Sequence, residues 1–289
     1  MSNFLEPGLI MRANAHMKLP DKYLQPLTEM YEKVRADEAL TRLCLECRDY
    51  FAKRVNAVSY VTEGDMPQLA SYDPEFRDLF HIVVLLSNYE NMLTQCRNLG
   101  IPEEYALKNM EDMAINIEES EWISGHIGLH GIRFWWMGLH FTGQLLRIGR
   151  LQYCYLPDSG LLDVHIARGG RLTDCDASYK DAAELYEKIF PELPVVGFVC
   201  NSWLLDPALR ELLPASSNIL TFQNRYRIGQ RGQNEDTSIY PYVYNLPSRP
   251  SDLSVLQENT SLQKSLKGYL ISNRIICATR GFIRVTDVM

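Results

Sequence analysis

The stretch from Leu162 to Asp174, LDVHIARGGRLTD, gathers the groups in this chain best suited to chemistry. Its alternating apolar residues Leu162, Val164 and Ile166 mark a strand. A basic Gly-Gly loop, Arg168-Gly169-Gly170-Arg171, follows, and Thr173 then opens a helix. Glycines let backbone N–H groups approach a phosphate closely. A helix start adds unpaired N–H donors and a positive dipole end. Arg168 and Arg171 supply charge-assisted contacts. This combination suits a pyrophosphate, and equally a plain strand-to-helix turn with two surface arginines. It is neither GxGxxG nor a Walker loop, so no dinucleotide or ATP fold is indicated. On the strand itself, His165 offers an imidazole, which titrates near neutral pH. Asp163, two residues away, shares its strand face and is placed to orient it.

The remaining reactive residue types read as structure. Cys44 and Cys47 form a CxxC pair inside a helical apolar pattern, with no second pair to complete a zinc site. His126 and His130 stand at i, i+4, but Gly125, Gly128 and Gly131 make their stretch a poor helix, and no HExxH signature is present. No metal is expected. Trp122, Trp135 and Trp136 lie in the expected join of the domains, 118–141, which reads as an aromatic helix buried between them, with an aromatic ligand cage as the other reading. Cys200 is flanked by apolar residues, as a core thiol is. Arg225, Arg227 and Arg231 fit phosphate contacts or, more simply, a solvated strand edge.

Two kinds of element must position these groups. Leu27, Met30, Tyr31 and Val34 follow helical spacing. Asp37 reads as the cap of a second helix, and Asp73-Pro74 as the start of a third. Gly100 ends that helix and Pro102 opens another. No convincing strand precedes about residue 140. After Phe141 the pattern turns to alternation: 145–156 with a bulge at Gly149, then 162–166, the apolar run 195–200, Leu220 to Ile228, 238–244, and 275–285. Helices are expected around 182–189, after Asp206-Pro207, and over 262–270. The expected fold is therefore α+β, with an all-helical N-terminal domain over 1–130 and a mixed α/β domain over 131–289.

Whole-chain properties narrow the function classes. The chain has 289 residues, 46% hydrophobic and 22% charged, as an ordinary globular protein has. A net charge of −7 argues against nucleic acid as the main partner. No run approaches the roughly 20 apolar residues of a membrane span. Seven widely spaced cysteines and no secretory leader fit reduced thiols in a cytoplasmic protein.

Three segments carry a family resemblance. They are RIGRLQY (147–153), VHIA (164–167) with Gly169 and Leu172, and CNSWLLDP (200–207) leading to SNIL (217–220). Together they resemble a family of acyltransferases that join a helical N-terminal domain to a GNAT-like C-terminal domain with a splayed central sheet. The resemblance implies acyl-CoA, acetyl-CoA included, as co-substrate and a small amine or hydroxyl compound as acceptor. It implies that the segment Ile166, Ala167, Arg168, Gly169, Gly170, Arg171 and Thr173 holds the CoA. The backbone N–H near Ile166 would polarise the thioester carbonyl. His165 would be the base, oriented by Asp163, and Ser202 a donor to the leaving thiolate. Family members are expected to carry His where this chain has Asn201 and Pro where it has Ala167. That difference keeps a second reading open, an acyl-CoA binder without catalysis. A third is an interaction protein that uses segment 134–141.

Overall fold

Side-chain caps start two of the N-terminal helices in the computed structural model, which describes residues 5–54, 69–169, 171–173 and 175–288. The helices are α1 (Leu9–Met17), α2 (Asp21–Ala36), α3 (Glu38–Ala52), α4 (Pro74–Ser87), α5 (Tyr89–Asn98), α6 (Glu103–Asn109), α7 (Asp112–Ser124) and α8 (Ile132–Phe141). Asp37 accepts from the amides of Ala39 and Leu40, and Asp73 from those of Glu75 and Phe76, as N-caps do. The single helix expected over 74–100 is two, because Asn88 breaks it and donates from Nδ2 to the Phe141 carbonyl at 2.9 Å.

The chain divides into two units, Met1–Arg147 and Ile148–Met289. In the first, the stripe Leu27, Met30, Tyr31 and Val34 is buried, as its spacing requires. Helix α4 is buried on nearly every side from Asp78 to Ser87. The aromatic helix α8, which lies beyond the boundary expected at 130, packs within the first unit. Phe134 and Trp135 meet Phe51 with ring centroids 5.4 and 6.1 Å apart.

Six strands follow: β1 (Leu145–Ile148), β2 (Leu151–Leu156), β3 (Leu161–His165), β4 (Gly197–Ser202), β5 (Arg227–Glu235) and β6 (Cys277–Arg284). They form one open sheet of order β1-β2-β3-β4-β6-β5. Gly149, at φ +61°, sits in a two-residue turn between β1 and β2 rather than in a bulge. The reversal of chain direction, not an extra residue, shifts the alternation there. Strand β3 is parallel to β4, so the chain must cross over between them. Helix α9 (Cys175–Ile189) makes that crossover.

The other faces of the sheet follow from the two-residue period. Tyr153, Leu162, Val164, Phe198 and Cys200 lie on the face covered by α9, where the Tyr179 ring stands 4.9 Å from that of Phe198. Asp163, His165, Val199, Asn201 and Arg280 lie on the opposite face.

The rest of this unit is α10 (Leu209–Leu212), α11 (Asn218–Gln223) and α12 (Ser261–Ile271). Two expected strands are corrected. Residues 218–223 are helical because Ser217 caps them, its hydroxyl accepting from the Ile219 amide. Tyr240–Tyr244 forms a helical turn, consistent with Pro241, which has no N–H to give a ladder.

Candidate functional site

The ladder between β3 and β4 is short. Leu161 pairs with Gly197, Leu162 with Phe198, and Asp163 with Val199, and there the register ends. Each strand keeps its outer partner further on: His165 stays opposite Gln152, while Asn201 and Ser202 stay opposite Arg280 and Thr279. The two central strands therefore part after Asp163 and Val199, and a slot opens between them toward the loop that leads into α9.

Strand periodicity brings His165 and Asp163 together at the start of this slot. Nε2 of His165 lies 3.4 Å from Oδ2 of Asp163, and both side chains are partly exposed. Asp163 also lines a cavity of about 390 Å³ on the sheet face away from α9. Leu156, Val199 and Ala278 give it apolar walls; Asn201 and Arg280 give it polar ones. Ser202 belongs to the α9 face by register. Its hydroxyl oxygen accepts from the Leu204 amide at 3.2 Å and so caps the turn Trp203–Leu205. The structure thus brings His165 to Asp163 and leaves Ser202 on the other face of the sheet.

The loop after β3 is shaped by a residue the sequence reading missed. Arg150, in the turn between β1 and β2, donates from Nη1 to the Ala167 carbonyl at 3.0 Å and from Nε to the Arg171 carbonyl at 2.9 Å. One guanidinium thus ties both ends of the basic loop. Ile166 lies just past the last ladder residue of β3, and Ala167 is buried. Gly169 has φ +81°, and a Cβ there would meet nothing within 4 Å, so its backbone faces open space. Arg168 donates to Oδ1 of Asn245 at 3.1 Å, whereas Arg171 is exposed. Gly170 lies outside the described residues.

Helix α9 starts at Cys175, two residues past the Thr173 expected to open it. Thr173 is exposed, and Asp176 takes a bidentate bond from Arg225, at 2.5 and 3.0 Å. That bond is the main cause of Asp176 being held below the usual carboxylate range. Arg225 therefore sits beside the first turn of α9. The strand edge expected for it is corrected: Arg225 precedes β5, and its partner Asp176, 49 residues earlier, gave no signal in the sequence. Arg231 is engaged too, by a bidentate bond to Asp206 at 2.8 and 2.9 Å.

The other reactive side chains are structural. Cys44 and Cys47 are buried in α3, and burial pushes both thiols up to about 12. Burial likewise raises the Cys200 thiol far above its ordinary range. His126 and His130 do converge, on a residue the spacing did not reveal. Nε2 of His126 and Nδ1 of His130 lie 2.8 and 3.0 Å from Oδ2 of buried Asp78. Arg77 donates to Oδ1 at 2.8 Å and also stands 3.4 Å from Nδ1 of His130. Burial raises the Asp78 pKa, but the bonds from Arg77, His126 and His130 outweigh it and leave the carboxyl below its ordinary value. The Leu129 amide donates to the Asp78 carbonyl at 2.8 Å. These bonds tie loop 125–131 to α4.

Two family models match successive stretches of the chain. An N-acyltransferase N-terminal domain matches residues 10–143, and a GNAT-like C-terminal domain matches residues 145–283. Solved structures are similar over nearly the whole chain. An acyltransferase in complex with CoA and 10C-teicoplanin is 21% identical, with a TM-score of 0.79, covering 96% of this chain and 87% of that one. An acyltransferase mutant in complex with octanoyl-CoA is 20% identical, with a TM-score of 0.81 and coverages of 96% and 88%. An acyltransferase in complex with decanoyl-CoA is 20% identical, with a TM-score of 0.73 and coverages of 95% and 99%. No curated protein matches the chain. Among the described residues, no helix is long and apolar enough to cross a membrane.

Proposed function

Since the chain belongs to the N-acyltransferases that join a helical N-terminal domain to a GNAT-like C-terminal domain, we propose that it moves the acyl group of an acyl-CoA onto the amine of a small molecule. The observation that carries this reading is the parting of β3 from β4 after Asp163 and Val199, directly before a basic loop with open backbone at Gly169. The slot would take the pantetheine arm. Residues 168–173 and the first turn of α9 would hold the pyrophosphate, with exposed Arg171 adding charge. The acyltransferase complexes with CoA, octanoyl-CoA and decanoyl-CoA support an acyl-CoA donor. The complex with 10C-teicoplanin supports a small-molecule acceptor.

In this reading the Ile166 amide polarises the thioester carbonyl. His165 takes a proton from the attacking amine, and Asp163, 3.4 Å away, orients the ring and balances the charge it gains. The new C–N bond forms, the C–S bond breaks, and sulfur leaves as thiolate. The proton that His165 takes from the amine balances the thiolate charge and passes on to it, so CoA leaves as the free thiol; Ser202, on the other face of the sheet, has no part in this step. The His165–Asp163 pair favours catalysis over passive CoA binding despite Asn201, because a pure binder has no need of a base beside its slot.

Calorimetry with acetyl-CoA and decanoyl-CoA, followed by thiol release against a panel of amines, tests the reading. Binding with acyl-dependent release supports it. A folded chain that binds neither thioester overturns it.

A further inference from the structure

We infer that the acceptor carries an anionic group as well as its amine, and that Arg280 is the residue that selects it. The inference rests on the acyl-transfer reading above and names the acceptor class for that site.

Strand register puts Arg280 directly opposite Asn201, on the sheet face that also carries Asp163 and His165. All but His165 line the cavity of about 390 Å³. The charges in this cavity are unevenly engaged. Arg231 is neutralised by its bidentate bond to Asp206 and also donates to the Ile275 carbonyl. Asp163 faces the His165 imidazole. Arg280 and Asn201, by contrast, are exposed and have no side-chain hydrogen bond or ion pair among the described residues. The cavity thus has at its β3 side a carboxylate that faces the His165 imidazole, and at its β6 side an uncommitted guanidinium.

The spacing fits a small amphoteric molecule. Asp163 and Arg280 are two strands apart and offset by two residues. At about 4.8 Å per strand and 3.4 Å per residue their Cα atoms are roughly 12 Å apart. An extended guanidinium covers much of that distance and leaves the amine-to-acid span of a compound such as an α-amino acid. The amine would then lie by Asp163, which faces the His165 imidazole that takes the proton. The acid would lie on Arg280, with the Asn201 amide beside it to donate a further bond. A second cationic group on the acceptor would instead meet Arg280 in repulsion.

The test compares matched pairs, each an α-amino acid and its carboxamide. Binding to the protein saturated with desulfo-CoA is measured by calorimetry, and turnover with decanoyl-CoA by thiol release. We expect the acid of each pair to bind at least about tenfold more tightly than the amide. In Arg280→Gln the preference should vanish, with CoA affinity unchanged. Equal binding of acid and amide by the parent, binding of neither, or loss of CoA affinity in Arg280→Gln would each overturn the inference; the last would make Arg280 a CoA contact. Anion-selective binding without any thiol release would leave Arg280 as the selector and refute the transfer reading instead.

Discussion

His165 and Asp163 meet because a strand returns every second side chain to one face, which leaves imidazole nitrogen and carboxylate oxygen 3.4 Å apart. A base acting in the transition state is worth about 10²- to 10⁴-fold in rate. His165→Gln should therefore lower kcat by about that factor. CoA affinity by calorimetry should stay where it was, since the phosphate loop begins three residues on. Unchanged turnover, with an acceptor the parent uses, would remove His165 from the mechanism. At Arg171 the expected split is reversed. Arg171→Glu puts repulsion where the loop and the start of α9 favour an anion, so CoA should bind at least about tenfold more weakly. Pantetheine, which lacks the pyrophosphate, should bind as before. A folded variant that holds CoA as well as the parent does would reduce the loop to a turn.

At the scale of elements, the turn at Gly149–Arg150 and the loop after β3 act as one piece. Arg150 makes charge-assisted bonds to two loop carbonyls, each of a kind worth about 1.5–3 kcal/mol. Arg150→Leu should free the loop and weaken CoA binding by roughly tenfold, a loss readable by the same titration after circular dichroism confirms the fold. In the first unit, loop 125–131 lies so close to α4 that a Cβ on Gly128 would run into the backbone of Asp78, and Gly128 has φ +148°. Gly128→Ala should cost roughly 2 kcal/mol or more of stability by urea unfolding, since both strain and overpacking act there. A loss under about 0.5 kcal/mol would show that the loop is not held as described.

Much of the element plan was legible because it rests on local rules. The caps at Asp37 and Asp73, the stripe from Leu27 to Val34, and the alternation of Leu162 and Val164 each need only neighbours in sequence. What failed depended on direction or distance. Alternation carried through Gly149 could not say that the chain reverses there. The apolar spacing from Leu220 to Ile228 mixes a short helix with a strand start. The pairing of His165 with Asp163 was readable on one strand. Arg150, Arg225, Arg280 and Asp78 were not, because their partners lie on other elements and a single charged residue looks the same in a clamp as on a surface.

Over the whole molecule, the two units differ in what reports on them. Trp122, Trp135 and Trp136 lie in the first unit and Trp203 in the second, so tryptophan emission mostly follows the first. That unit contains Asp78, whose carboxyl is held below its ordinary value by Arg77, His126 and His130. A depressed carboxyl stabilises the folded state above its unfolded pKa, near about 4, and the gain fades as pH falls through the lower folded value. Acid unfolding followed by tryptophan emission should therefore show the parent more stable than Asp78→Asn at pH 7. The gap should narrow below about pH 4. A gap that stays constant down to pH 2 would mean that the Asp78 contacts carry no charge linkage.

The Arg150 clamp also bears on how such a protein can be altered. Its loop spans residues 167–171, but the group that gives the loop its shape lies seventeen or more positions earlier, on a different hairpin. A loop transplanted from a relative would arrive without its brace, and the brace left behind would face carbonyls it was not matched to. The inheritable unit is therefore the loop together with the turn. Recombination that cuts between Arg150 and Ala167 would break it while leaving every strand intact.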